Sequence, residues 1–132
     1  MRGIDTNILV RFLIGDDEQQ AQKVYKIFKK AESEKKELFV PLLVMLELIW
    51  VLESVYDIPR AAILESINDL ILMPILKLEH QSSLQQFTQA AQGNKYDLSD
   101  LLISHSAKAQ GCEIVITFDK KASKSPLFEL AK

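Results

Sequence analysis

Cysteine is nearly absent from this chain. Cys112 stands alone among 132 residues, so no intrachain disulfide can form. That fits a reducing compartment and suggests a buried structural thiol. Histidine is almost as scarce. His80 and His105 lie far apart and away from Cys112, which excludes a Cys/His metal array of the zinc type. With four glycines and four prolines there is no flexible linker, and no repeat or low-complexity tract occurs. Long hydrophobic runs are missing too. The longest, Leu42–Leu46 and Leu48–Leu52, are broken by Glu47 and are too short to cross a membrane. The start, Met1-Arg2-Gly3-Ile4-Asp5, puts an acid where a signal peptide needs an apolar core. A cytoplasmic location is expected. Excess positive charge is also lacking: the net charge is −2, which by itself speaks against a nucleic-acid binder.

What is present is a large apolar fraction, 48%, enough for one core. Residues 1–132 are expected to form a single domain. Helical and short apolar segments alternate, predicting an α/β domain with a parallel sheet. Strands are expected near Gly3–Asp5, Leu38–Val40, Ile75–Leu78 and Ile114–Thr117, with a faint fifth near Leu127–Leu130. Helices are expected over Glu18–Glu32, Leu42–Tyr56, Arg60–Leu72, Ser82–Gln92 and Ser99–Gln110, the last stopped by Gly111. The helix Leu42–Tyr56 is apolar nearly all round and should be buried or lie at an interface. Trp50 and Phe87 read as core or interface residues, and His105 as a surface or half-buried histidine.

Four acids carry the functional reading, each against a plainer one. Asp5 follows the first strand, where α/β proteins place their ligand crevice; the competing reading is helix capping. Glu47 is a carboxylate inside an apolar helix, costly unless it meets a cation, a hydrogen-bond donor or solvent. The plainer reading is a narrow wet stripe continuing to Glu53 and Ser54. Asp100 and Asp97 both fall at a helix start, where one caps and the other is left for chemistry. Asp119 ends the strand Ile116-Thr117-Phe118, or caps a short helix from Lys120. Clustered carboxylates repel and call for a cation. All-oxygen ligation suits Mg²⁺ or Mn²⁺, which can generate hydroxide for attack on a phosphodiester.

The run Ile4-Asp5-Thr6-Asn7-Ile8-Leu9-Val10, then Glu47-Leu48, Leu98-Ser99-Asp100-Leu101-Leu102-Ile103 and Thr117-Phe118-Asp119, resembles the PIN-domain nucleases, most closely the VapC-type toxin ribonucleases. The resemblance implies a three-layer α/β sandwich with a central four- or five-stranded parallel sheet. It implies that Asp5, Glu47, Asp100 and Asp119 are catalytic and hold one or two Mg²⁺ or Mn²⁺ ions. Thr6, Asn7 and Thr117 would support the site, and Asp97 is an extra acid beside it. It also implies endoribonuclease action on RNA, a cognate antitoxin and a homodimer. The alternative is a weakly catalytic or non-catalytic binding module within an antitoxin–operator complex. Response receivers and haloacid-dehalogenase-like phosphatases fit poorly: no second acid adjoins Asp5, and Asn7 stands where the phosphatases need one.

The charge objection weakens on inspection. Setting the four acids aside moves the net charge from −2 to +2. Lys120, Lys121 and Lys124 adjoin the proposed site and are expected to touch RNA. Lys23, Lys26, Lys29, Lys30, Lys35 and Lys36 read as a solvated face.

Overall fold

Leu38–Val40 (β2) is the strand to which two others attach in the computed structural model, which describes residues 1–132. Arg2–Gly3 (β1) pairs with it in parallel, Arg2 opposite Leu38 and Gly3 opposite Phe39. Leu76–Leu78 (β3) pairs in parallel on its other side, with Leu38, Phe39 and Val40 opposite Leu76, Lys77 and Leu78. Parallel neighbours need crossovers. These are supplied by helices α1 (Thr6–Leu13) and α2 (Glu18–Ser33) between β1 and β2, and by α3 (Leu42–Ser54) and α4 (Arg60–Ile71) between β2 and β3. Together these elements form a compact unit, Met1–Gln81.

The core of this unit follows from spacing. Leu9 and Val10 of α1, Val24, Phe28 and Ala31 of α2, Met45, Leu48, Ile49 and Leu52 of α3, and Ile63, Ile67 and Leu70 of α4 are all buried. The sets of α2, α3 and α4 recur at three- and four-residue steps, and Leu9 and Val10 follow the buried Thr6 at the same spacing, the face of a helix turned to a core. Helix α1 was not anticipated from sequence. Its first turn is the segment read as Asp-Thr-Asn at a strand end, and its eight residues give little room for a periodic signal.

The second compact unit, Ser82–Lys132, holds the rest. Helix α5 runs over Gln81–Gln92 and α6 over Leu98–Ala109. Val115–Thr117 (β4) pairs in parallel with Phe128–Leu130 (β5), joined through a single 3-10 turn at Ala122–Lys124. Leu84, Phe87, Ala91, Leu98, Leu101, Leu102, Ala122 and Phe128 are its buried apolar residues. Gly111 has φ +94°, a left-handed conformation that stops α6 as expected.

The parallel α/β fold class is as the sequence predicts. All five expected strands exist, hydrogen-bonded as a set of three and a set of two. Two expectations, on Cys112 and His105, need correction. Cys112 is exposed, not buried, because it sits in the turn directly after the glycine stop. Trp50, read as a core or interface residue, is 57% exposed and so keeps only the interface half of that reading, since α3 turns Leu48, Ile49 and Leu52 inward instead. His105 is buried at 9% exposure, with its ring edge-on to Phe87. The anticipated Phe87 core position holds. No helix is long and apolar enough to cross a membrane.

Candidate functional site

Asp5 is exposed, two residues beyond β1 and in extended conformation, and its carboxylate accepts the N–H of Thr6 at 2.7 Å. The capping role weighed against it is therefore real. It leaves the second carboxylate oxygen uncommitted. Thr6 is buried at 4% exposure, and its hydroxyl has no hydrogen-bond partner. A buried hydroxyl left unpaired is costly and marks a place where a further polar group would be welcome. Asn7 is exposed in the same helical turn.

Glu47 lies on the exposed side of α3, one turn from the exposed Leu43 and Trp50. Its carboxylate is solvated, so the burial cost argued for it does not arise. The plainer wet-stripe geometry is the observed one, and Ser54 continues it.

In the second unit the acids act on one another. Asp97 caps α6, with its carboxylate accepting the N–H of Asp100 at 3.0 Å. This resolves which of the two caps and leaves Asp100, half-buried in the first turn, with a free side chain. Burial pushes the Asp100 carboxyl above its usual range, and the neighbouring charges of Asp97 and Asp119 push it further, with Lys121 opposing. Asp119, just past β4, accepts the N–H groups of Lys121 at 2.8 Å and Ala122 at 3.2 Å. Its own N–H donates to the hydroxyl of Thr117 at 3.0 Å, so Thr117 helps set the turn that carries Asp119. Lys120, Lys121 and Lys124 are all exposed.

A cavity of about 220 Å³ opens beside Asp100, lined among others by Lys95, Tyr96, Asp97, Lys121, Lys124 and Phe128. Lys95 and Tyr96 were not singled out from sequence. A basic–aromatic pair in the loop just before a capped helix was the available signal.

No three His, Cys, Asp or Glu side chains converge within either unit on a point that could hold a metal ion. The chemistry of the donors nevertheless suits a hard cation. They are all carboxylates, and Asp100 is destabilised as an anion by two neighbours of like charge.

Parallel strands joined by helices, with aspartates at a strand end and a helix start, place this chain in the α/β class. The chain belongs to the PIN domain family, whose pattern matches residues 4–126 and so runs through both units. Among curated proteins it is similar to the VapC ribonuclease of Aquifex aeolicus (strain VF5). The two are 26% identical over 124 residues, which cover 94% of this chain and 91% of that protein.

Proposed function

We propose that this protein is a Mg²⁺- or Mn²⁺-dependent endoribonuclease, the toxin of a toxin–antitoxin pair. One observation carries the reading: in a PIN domain chain, the half-buried carboxylate of Asp100 has no hydrogen-bonded partner and feels the charges of Asp97 and Asp119. Asp5 and Glu47 in the first unit and Asp100 and Asp119 in the second are the carboxylates this reading assigns to metal binding. A bound divalent ion supplies a nucleophile from its water and positive charge for the phosphodiester oxygens.

The chain's own residues do the rest. Thr117 and the N–H groups of Lys121 and Ala122 fix Asp119 in its turn, and Asp97 fixes the start of the helix that carries Asp100. Lys121, opposing the rise at Asp100, keeps that carboxyl closer to its ionised form. Lys120, Lys121 and Lys124 offer positive charge to an RNA backbone. The exposed apolar residues Leu43 and Trp50 of α3 support a homodimer. The similarity to a VapC ribonuclease supports RNA as substrate; a cognate antitoxin as partner and a place in the cytoplasm belong to the same proposal.

A binding module without catalysis is the competing reading. Asp5, Asp97 and Asp119 already serve as acceptors for backbone N–H groups, which a purely structural role explains. Cleavage of total cellular RNA decides between the two. Discrete magnesium-dependent products from the native chain, absent with EDTA and with Asp100→Asn, are expected. Equal cleavage by both chains, or none by either across tRNA and ribosomal RNA, rejects the nuclease reading.

A further inference from the structure

The cavity beside Asp100 has a lining that a metal site alone does not require. Lys95, Tyr96, Asp97, Asp100, Leu101, Lys121, Lys124 and Phe128 contribute to it. Three ammonium groups outnumber two carboxylates, Leu101 and Phe128 are buried apolar residues, and Tyr96 is an aromatic ring 36% exposed. A bare anion would meet Asp97 and Asp100 as well as the lysines. An apolar ligand would meet five charges. A group that is flat and aromatic on one part and anionic on another meets both the aromatic–apolar and the basic parts of the lining, and a nucleotide is such a group. Its base has a π-face for the tyrosine, and its phosphates lie outward toward the lysines.

We infer that this cavity is the subsite for one unpaired nucleotide of the RNA, adjacent to the phosphodiester at Asp100, with Tyr96 stacking on the base and Lys95, Lys121 and Lys124 taking the flanking phosphates. The inference rests on the nuclease reading for its substrate, but its own basis is the lining. Tyr96 is a positioning residue here, because it holds the substrate and takes no part in bond breaking.

The test uses the full-length protein and two readouts. In the first, AMP, CMP, GMP and UMP are titrated into the millimolar range in EDTA, with binding followed by backbone amide NMR shifts. N-acetylarginine amide serves as the peptide-like comparison. Shifts at Lys95–Asp100 and Lys121–Ser125 with at least one nucleotide are expected. Tyr96→Ala should weaken that binding roughly 5- to 150-fold, the range for one stacked base, while Tyr96→Phe retains it. In the second readout, magnesium-dependent cleavage, Tyr96→Ala should raise KM with kcat largely kept, and Tyr96→Phe should restore KM.

Shifts from the arginine derivative but from no nucleotide would overturn the inference in favour of a peptide-binding cleft. So would nucleotide shifts elsewhere, or Tyr96→Ala matching the native chain in both readouts. Failure of the nuclease reading looks different. Nucleotide binding at these residues without RNA cleavage by the native chain would uphold the subsite and reject the catalysis.

Discussion

The carboxylate of Asp97 accepts the backbone N–H of Asp100 at 3.0 Å, so one aspartate starts the helix and the other is left free to work. The two acids are three residues apart and look interchangeable in the sequence, yet they have different jobs. Asp97→Ala should destabilise the protein by about 0.5–2 kcal/mol through loss of the cap, and Asp97→Asn by much less, because asparagine caps as well. Urea unfolding midpoints check this. Equal losses for both variants would mean that the charge, not the cap, is what Asp97 contributes.

Asp100 should behave oppositely. Its carboxyl is raised by burial, then by Asp97 and Asp119, so the folded state binds this proton more tightly than the unfolded chain does. Stability from this group is therefore present below the usual carboxylate range and falls as pH rises through the raised value. At neutral pH, in EDTA, Asp100→Asn should be more stable than the native chain. Adding Mg²⁺ should raise the melting temperature of the native chain and leave the variant's nearly unchanged. A destabilised variant in EDTA would contradict the repulsion argued for this site.

How far the sequence could be read depends on what kind of signal each feature leaves. Helices α2 to α6 were legible within two residues, because their buried faces recur every three or four positions and Pro59, Pro74 and Gly111 mark ends. Strand β2 was legible to the residue. Helix α1 was not, because capping by Asp5 and a strand-end aspartate leave the same letters. The same ambiguity touched the site. That Asp97 caps and Asp119 anchors a turn are facts of hydrogen-bond geometry, which composition does not carry. Glu47 left two readings open, a buried carboxylate and a narrow wet stripe, and only the exposed positions of Leu43 and Trp50 on the same face select the solvated one. The cavity with Lys95 and Tyr96 needed coordinates, because its lining is drawn from two separated stretches of chain.

His105 supplies a pH dependence far simpler than that of the acids. It is buried, neither ring nitrogen has a partner, and burial, with a smaller push from Lys108, lowers its pKa. The unfolded chain thus takes up this proton more readily, and stability from His105 is present above pH about 6.5 and lost as pH falls below it. His105→Phe removes two unpaired polar atoms in a ring of similar shape. The variant should gain on the native chain most at acidic pH, measured by urea unfolding at neutral pH and near pH 5.5. A gain that is constant with pH would show that folding leaves the ring's proton uptake unchanged.

Thr117 offers a test of the turn that carries Asp119. Its hydroxyl accepts the Asp119 N–H at 3.0 Å, and valine keeps the β-branched shape without that acceptor. Loss of one such bond costs about 0.5–1.5 kcal/mol. Thr117→Val should therefore unfold only slightly more easily, whereas cleavage should fall by more than the stability change explains, because Asp119 is no longer held. Thr117→Ser keeps the hydroxyl and should retain most activity. Full activity in the valine variant would mean that the N–H groups of Lys121 and Ala122, which Asp119 accepts on its own, suffice to hold it.

The exposed face of α3 leads to the last prediction. Leu43 is 78% exposed and Trp50 57%, large apolar surfaces that a lone chain leaves in water. Burying them against a second copy would shift the emission of Trp50, the only tryptophan, to shorter wavelength as concentration rises. Light scattering should follow the same curve from one chain to two. Leu43→Lys, which places a charge on this face without touching the core, should abolish both changes and leave the melting temperature of the dilute protein in place. A native chain that stays monomeric at micromolar concentration, with red-shifted emission throughout, would show that this face meets a different partner or none.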